Sequence, residues 1–232
     1  MSHDPAKGPS CFLENQHTTC FEYLTPEEQE LVNKNRIELN YKKGEILAKQ
    51  GTFASHIIFL NEGLVKVYLE GRPKDLILKI VPSNHLIGLP SIYDGNNRFI
   101  YSVATYSAST VSLIDISLFK QLLSNNSRFA TKIINILNED TALIYGRFFC
   151  LTMKQSHGRV ADILLCLANR VYKSPQFELA ISRNDLADLT GLASESVIRI
   201  FKEFKDENLI SIDGKMIHIL DSEGLEKISS IA

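Results

Sequence analysis

The spacing of apolar residues changes twice along the chain, and each change marks a new kind of structure. After a polar start, Thr25-Pro26-Glu27-Glu28 reads as a helix N-terminus: Thr25 as N-cap, Pro26 in the first turn, then two acids favoured by the helix dipole. That helix is expected to run to about Asn35. From Ile37 to Ile116 the pattern shortens to alternating or apolar segments punctuated by Gly44, Gly51, Gly63, Gly71, Gly88 and Gly95. Strands at this spacing predict an antiparallel barrel or jelly roll. Ile57 to Leu60, Leu64 to Leu69, Leu76 to Val81 and Tyr101 to Asp115 are the expected strands, the last read as one long one.

From Ser117 the period becomes helical. A short helix through Leu123 gives way at Ser124-Asn125-Asn126-Ser127, a cluster able to cap a new start. Arg128 to Met153 contains no proline and only Gly146, so it can form one helix of about 38 Å at 1.5 Å per residue. It carries two apolar stripes. Leu137, Thr141, Ile144, Phe148 and Leu151 follow the 4-3-4-3 spacing of a coiled-coil seam. Ile133, Ile136, Leu143 and Cys150 form a second stripe suited to packing on the chain's own β-roll. The pattern alone fits equally a dimer seam or two intramolecular core faces.

Past a break at Gln155 to Arg159, helical texture resumes from Arg159 to Val171. Ser182-Arg183-Asn184-Asp185 resembles a capping box with Asp at its last place, opening a short helix through Thr190. Gly191 ends that helix, and Ser194 opens another through about Asp206, the spacing of a helix-turn-helix. Leu186, Ala187, Leu189, Leu192, Val197, Ile200, Phe201 and Phe204 make an inner face. Ser194, Glu195, Ser196, Arg199 and Lys202 are left outside, in the early turns where a recognition helix meets the major groove. Glu195 and Arg199 share a face. A carboxylate accepts from cytosine N4 and a guanidinium grips guanine O6 and N7, so the two together suit adjacent G·C pairs. An exposed i,i+4 salt bridge between them is the alternative reading. Leu209 to Ile219 alternates around Asp213-Gly214, a type I′ hairpin signal that reads as a wing, with Lys215 at its tip as a candidate phosphate contact.

Two stretches carry a resemblance. Tyr41-Lys42-Lys43-Gly44-Glu45-Ile46-Leu47, then Gly51, then Ile57 through Tyr68 resembles the cyclic-nucleotide-binding β-roll of the Crp/Fnr family. Gly191-Leu192-Ala193-Ser194-Glu195-Ser196-Val197-Ile198-Arg199 is similar to the recognition-helix signature of the same family. The resemblance implies a bacterial transcription regulator that is α+β in class. Its parts would be an N-terminal double-stranded β-helix (jelly-roll-like) sensor, a long dimerisation helix and a C-terminal winged helix-turn-helix. The domains would be an N-terminal segment (1–24), a sensor with flanking helices (25–124), the dimerisation helix (125–153) and the DNA-binding domain (154–232). It also implies that Glu195 and Arg199 contact bases, and that dimers pair through the long helix. Ser194 stands where the catabolite-activator pattern has a second arginine. Ala193 replaces the usual Ser or Thr cap, which would leave part of that role to Ser194.

The family places its effector between the roll and the long helix, which assigns Gly88, Leu89, Arg98, Phe99, Ile100, Asp140, Ile144 and Tyr145 to that pocket. Cyclic AMP receptors have a glutamate where this chain has Leu89. They have an Arg-Ser pair where it has Phe99-Ile100, and polar helix residues where it has Asp140, Ile144 and Tyr145. A phosphate there would lose its counter-charge and face Asp140, a costly desolvation. Cyclic AMP is therefore disfavoured, although Arg98 lies one residue from the expected arginine. An iron-sulfur cluster of the Fnr type needs four thiolates. Cys11 and Cys20 precede the roll, none lies within it, and Cys150 and Cys166 sit on apolar helical faces. Haem ligation by His56, His85 or His157 competes with ordinary structural roles. The effector, and any cofactor, is left open.

Composition sets the remaining bounds. At 232 residues and 44% hydrophobic the chain supports two cores. Its apolar runs fall short of the roughly 20 residues of a membrane span, and Met1 to Ser10 holds no signal-like apolar region, so a cytoplasmic protein is expected. The net charge of −2 gives no global attraction to nucleic acid. Phosphate contact would fall to Arg183, Arg199, Lys202, Lys205 and Lys215 on one side, doubled by dimerisation. The expected partners are double-stranded DNA with a palindromic operator, a second copy of the chain, and an unidentified small effector, with RNA polymerase a candidate. A sensor that regulates a protein instead of DNA is the alternative function. No phosphate-cradling glycine loop, carboxylate pair or nucleophile elbow points to an enzyme.

Overall fold

The computed structural model describes residues 20–72 and 74–230, which divide into two compact units, 20–75 with 79–140 and 141–230 with 76–78. Cys11 and the rest of the segment before Cys20 lie outside the described residues.

The first unit opens with a 3-10 turn (Cys20–Tyr23) and helix α1 (Pro26–Asn35). Thr25 caps α1 in a full capping box: its hydroxyl accepts from the Glu28 amide, and the Glu28 carboxylate accepts from the Thr25 amide at 2.9 Å. Eight strands follow: β1 (Ile37–Tyr41), β2 (Ile46–Ala48), β3 (His56–Glu62), β4 (Leu64–Leu69), β5 (Leu76–Pro82), β6 (His85–Ile87), β7 (Ser102–Thr105) and β8 (Ser109–Asp115). They form two four-stranded sheets in the orders β1-β8-β3-β6 and β2-β7-β4-β5, all of whose recorded pairings are antiparallel. The apolar run Ile57 to Leu60 is explained by burial on both faces of β3. Ile57 and Phe59 pack with Leu24, Val32, Phe119, Phe129, Ile133 and Ile136, while Ile58 and Leu60 point to the opposite face and are also buried.

The expected single strand from Tyr101 to Asp115 is two strands in different sheets. The chain crosses over at Tyr106 to Ala108, where the Tyr106 amide donates to the Leu64 carbonyl and Ser107 Oγ accepts from the Leu64 amide. This corner passes so close to Gly63 that a Cβ there would overlap Ser109 Oγ. The break is made by that tertiary approach, and no local Gly or Pro announces it.

Helix α2 (Ile116–Asn125) is capped by Asp115. Asn126 then caps α3 (Ser127–Met153), accepting from the Phe129 amide at 3.0 Å, and α3 runs unbroken for 27 residues. Its second stripe divides. Ile133 and Ile136 pack into the core of the first unit as expected, whereas Cys150 belongs to the second unit, where its thiol lies 3.4 Å from Asp162 Oδ2.

The second unit contains the rest of α3, α4 (Ser156–Cys166), a π-helical turn (Leu167–Val171), β9 (Gln176–Glu178), α5 (Arg183–Thr190), α6 (Ser194–Asp206), β10 (Ile210–Asp213), β11 (Met216–Ile219) and α7 (Ser222–Ser230). Its sheet has the order β10-β11-β9, a three-stranded wing where the hairpin pattern predicted two strands. The α3–α4 junction, 154–157, is tied at several points. Lys154 Nζ pairs with Asp162 at 3.1 Å and donates to Ser229 of α7 at 2.9 Å, and Arg159 Nε donates to the Lys154 carbonyl at 2.9 Å.

Candidate nucleic-acid interface

Helix α5 starts at Ser182, whose hydroxyl accepts from the Asp185 amide at 3.0 Å and donates to its carboxylate at 2.5 Å. It stops at Gly191, in the left-handed region at φ 65. Two guanidiniums hold the carbonyls at its end: Arg147 of α3 bonds Leu189 O, and Arg159 of α4 bonds Thr190 O at 3.2 Å. Cations at a helix C-terminus satisfy orphan carbonyls and oppose the dipole. The turn into α6 is thereby pinned to the unit's own frame.

Helix α6 packs on α5, burying its own Val197, Ile200 and Phe204, while Leu186, Ala187 and Leu189 of α5 are buried as well and Phe201 and Leu192 are half-buried. Its N-cap is Ala193, which supplies no side-chain cap. Ser194 does not take over that role: its hydroxyl donates to Asn184 Oδ1 at 3.0 Å, linking the starts of α6 and α5. Ser194 and Ser196 are half-buried, so the exposed part of the outer face is Glu195, Ile198, Arg199 and Lys202.

The alternative salt bridge from Glu195 to Arg199 is not formed. Glu195 has no side-chain partner among the described residues, and Arg199 Nε instead faces Glu203 Oε1 at 3.8 Å. Arg183 and Lys202 are also exposed and have no side-chain partner among the described residues. Ile198, 43% exposed, was assigned to neither face by the sequence pattern. On a groove-facing helix an apolar side chain suits the thymine methyl.

The wing tip differs from its prediction by one residue. Asp213 pairs with Met216, which makes Gly214-Lys215 the two-residue loop. Gly214 has φ 58 and Lys215 is not among the positive-φ residues, the type II′ pattern with glycine first. Lys215 remains exposed at the tip.

The residues assigned to an effector pocket are individually placed as follows. Gly88 has φ 101, and its amide donates to the Tyr101 hydroxyl at 3.0 Å. Leu89 and Phe99 are buried, and Ile100 is exposed. The Arg98 guanidinium donates to the Gly51 carbonyl at 2.6 Å, so it is engaged at the loop. Asp140 is buried but compensated, paired with Lys79 at 2.6 Å. Ile144 and Tyr145 lie in the second unit, exposed.

Burial holds the Cys20 thiol up at about 12 and pushes Cys166 well above its ordinary value, so neither offers a ready thiolate. Each histidine considered for haem has a ring-nitrogen partner: His56 with Ser55 Oγ, His85 with Ser83 O and His157 with Glu203. Among the described residues no three His, Cys, Asp or Glu side chains gather as a metal site, and no helix is long and apolar enough to cross a membrane.

A β-roll of two four-stranded sheets, followed along the chain by a winged helix-turn-helix with a solvent-facing second helix, is the architecture of a two-domain transcription regulator. Residues 38–126 match the cyclic nucleotide-binding domain family, and residues 158–228 match the Crp-like helix-turn-helix domain family. The chain is 28% identical over 188 residues to the transcriptional activator protein anr of Pseudomonas aeruginosa, covering 78% of this chain and 75% of that one. It is 25% identical over 181 residues to the cAMP-activated global transcriptional regulator CRP of Salmonella typhimurium, covering 76% and 86%. Among solved structures, FixK2 from Bradyrhizobium japonicum superposes with a TM-score of 0.78 at 18% identity, covering 85% of this chain and 98% of that one. This order of domains and these relatives support a transcription regulator of the Crp/Fnr type.

Proposed function

We propose that the chain acts as a homodimer that binds a palindromic operator. The outer face of α6 enters the major groove, Glu195 accepts from cytosine N4, Arg199 grips guanine, and Ile198 meets a thymine methyl. Arg183, Lys202 and Lys215 lie on phosphates. The observation that carries this reading is the divided α6: one side buried in the domain core, the other showing a carboxylate without a partner among the described residues and an exposed guanidinium one turn apart. The dimer forms through the exposed apolar residues of α3, centred on Ile144 and Phe148, with Thr141 one turn before Ile144. Leu137 and Leu151 contribute less, because Leu137 packs against its own core and Leu151 is half-buried beside Gly191. Two recognition helices about 34 Å apart would then reach successive grooves, and the register of the two α3 helices would set that separation.

The roll is proposed to sense something other than cyclic AMP. Apolar Leu89, Phe99 and Ile100 offer no anchor for a ribose or phosphate, and Arg98 and Asp140 are already engaged.

Fluorescence anisotropy with a palindromic probe recovered from a random pool tests the base-reading role. Arg199→Ala should weaken binding about 10- to 100-fold while leaving the affinity for unrelated DNA nearly unchanged. Equal loss on both kinds of DNA would remove base reading from Arg199 and leave it a phosphate contact.

A further inference from the structure

The Arg199 side chain is 69% exposed, and a guanidinium so free would sample many orientations before finding a base. Its ion partner among the described residues is Glu203, one turn along α6, with Oε1 3.8 Å from Nε. An exposed pair of this kind holds little by itself. Glu203 is held from a second direction, however. Its other oxygen, Oε2, lies 2.6 Å from Nε2 of His157, a residue of the first turn of α4. An ionised carboxylate only accepts, so Nε2 carries the proton in this contact whether the ring is neutral or charged. The imidazole in turn stands edge-on to Phe204, centroids 6.1 Å apart at 60°, and Phe204 is buried in the domain core. A chain of contacts thus leads from the core through His157 and Glu203 to the outermost side chain of the interface.

We infer that Glu203 is a positioning residue for Arg199, with His157 as its anchor. The inference rests on the proposed base-reading role of Arg199. A guanidinium has a fixed fork of five N–H donors. Glu203 engages it at Nε, which leaves the two Nη groups for guanine O6 and N7. Less orientational freedom remains to be lost on binding. The carboxylate also offsets the charge of Arg199 and so weakens undirected attraction to phosphate. Both effects favour discrimination between sequences over affinity for DNA in general.

The test uses the full-length protein, the selected palindromic probe, and a set of probes in which each half-site base pair is changed symmetrically. Arg199→Ala should erase discrimination at one position. Glu203→Gln, which preserves shape, and His157→Ala should each lower discrimination at that same position by about fivefold, with binding to unrelated DNA unchanged or raised. His157→Gln, which keeps a donor toward Glu203, should retain most of it. Uniformly weaker binding to every probe, with the ratios preserved, would make Glu203 and His157 structural and overturn the inference. Loss of discrimination in Arg199→Ala without loss in Glu203→Gln would overturn it while leaving base reading intact. If Arg199→Ala changes no ratio, base reading and its positioning fail together.

Discussion

Asp115 ends a strand and starts a helix with one oxygen. Its Oδ1 accepts from the Ser117 amide at 2.8 Å and from the Leu118 amide at 3.1 Å. These bonds, that to Leu118 first, hold its carboxyl below the ordinary aspartate value. A depressed folded value adds stability that is complete above the unfolded value of about 3.9 and is lost as pH falls through the lower folded value. Asp115→Ala should therefore destabilise the protein by about 1 kcal/mol at neutral pH, a gap that closes below about pH 4. Urea titrations of both proteins at several pH values check this; a gap that persists in acid would assign the loss to packing. The cysteines give a second residue-scale expectation. Cys20, Cys150 and Cys166 are all buried, so a Cys11→Ser variant should show no fast-reacting thiol in Ellman's assay until it is unfolded. A rapid thiol in the native protein would contradict that burial. Residue chemistry with local causes was legible in the sequence, as with the Thr25 and Ser182 caps and the left-handed Gly191. Partners set by the fold were not. Nothing near Asp140 announced Lys79, 61 residues away; by spacing, Glu203 was as available to Arg199 as Glu195, and the sequence did not show that His157, 46 residues before Glu203, would hold it.

Elements whose signal lies in their own period were readable, including α1, α3, α5, α6 and the wing hairpin. Those defined by a distant neighbour were not. Strand β9 is three residues long, and its register is set by β11. The split between β7 and β8 comes from the close passage over Gly63. At this scale the turn between α5 and α6 matters most, because it fixes how the recognition helix is presented. A Cβ on Gly191 would sit 3.2 Å from Leu151 Cδ2 in a backbone region that alanine resists. Gly191→Ala should cost about 1–2 kcal/mol, read as a lower urea midpoint. Specific DNA affinity should fall with it, because α6 would shift relative to Arg147 and Arg159. An unchanged midpoint would mean that the turn relaxes freely and that those two arginines do not fix it.

For the whole molecule, the two apolar stripes of α3 could be read from sequence, but not which one the chain keeps for itself. The structure answers for each unit separately: Ile133 and Ile136 are consumed by the roll's core, while Ile144 at 52% and Phe148 at 70% remain exposed. Apolar side chains this exposed on one helix favour a partner surface. Phe148→Glu should turn the proposed dimer into a monomer in sedimentation and abolish tight operator binding, since one recognition helix alone would contact half the site. A variant that stays dimeric would place the interface elsewhere. The central claim, that paired α6 helices read DNA through Glu195 and Arg199, is tested most directly by selecting binding sites from a random duplex pool. Wild type should enrich an inverted repeat whose half-sites each hold G·C pairs and lie about 10 base pairs apart, and Arg199→Ala should lose the preference for one of those pairs. Enrichment of no symmetric sequence, or of the same sequence by both proteins, would contradict it.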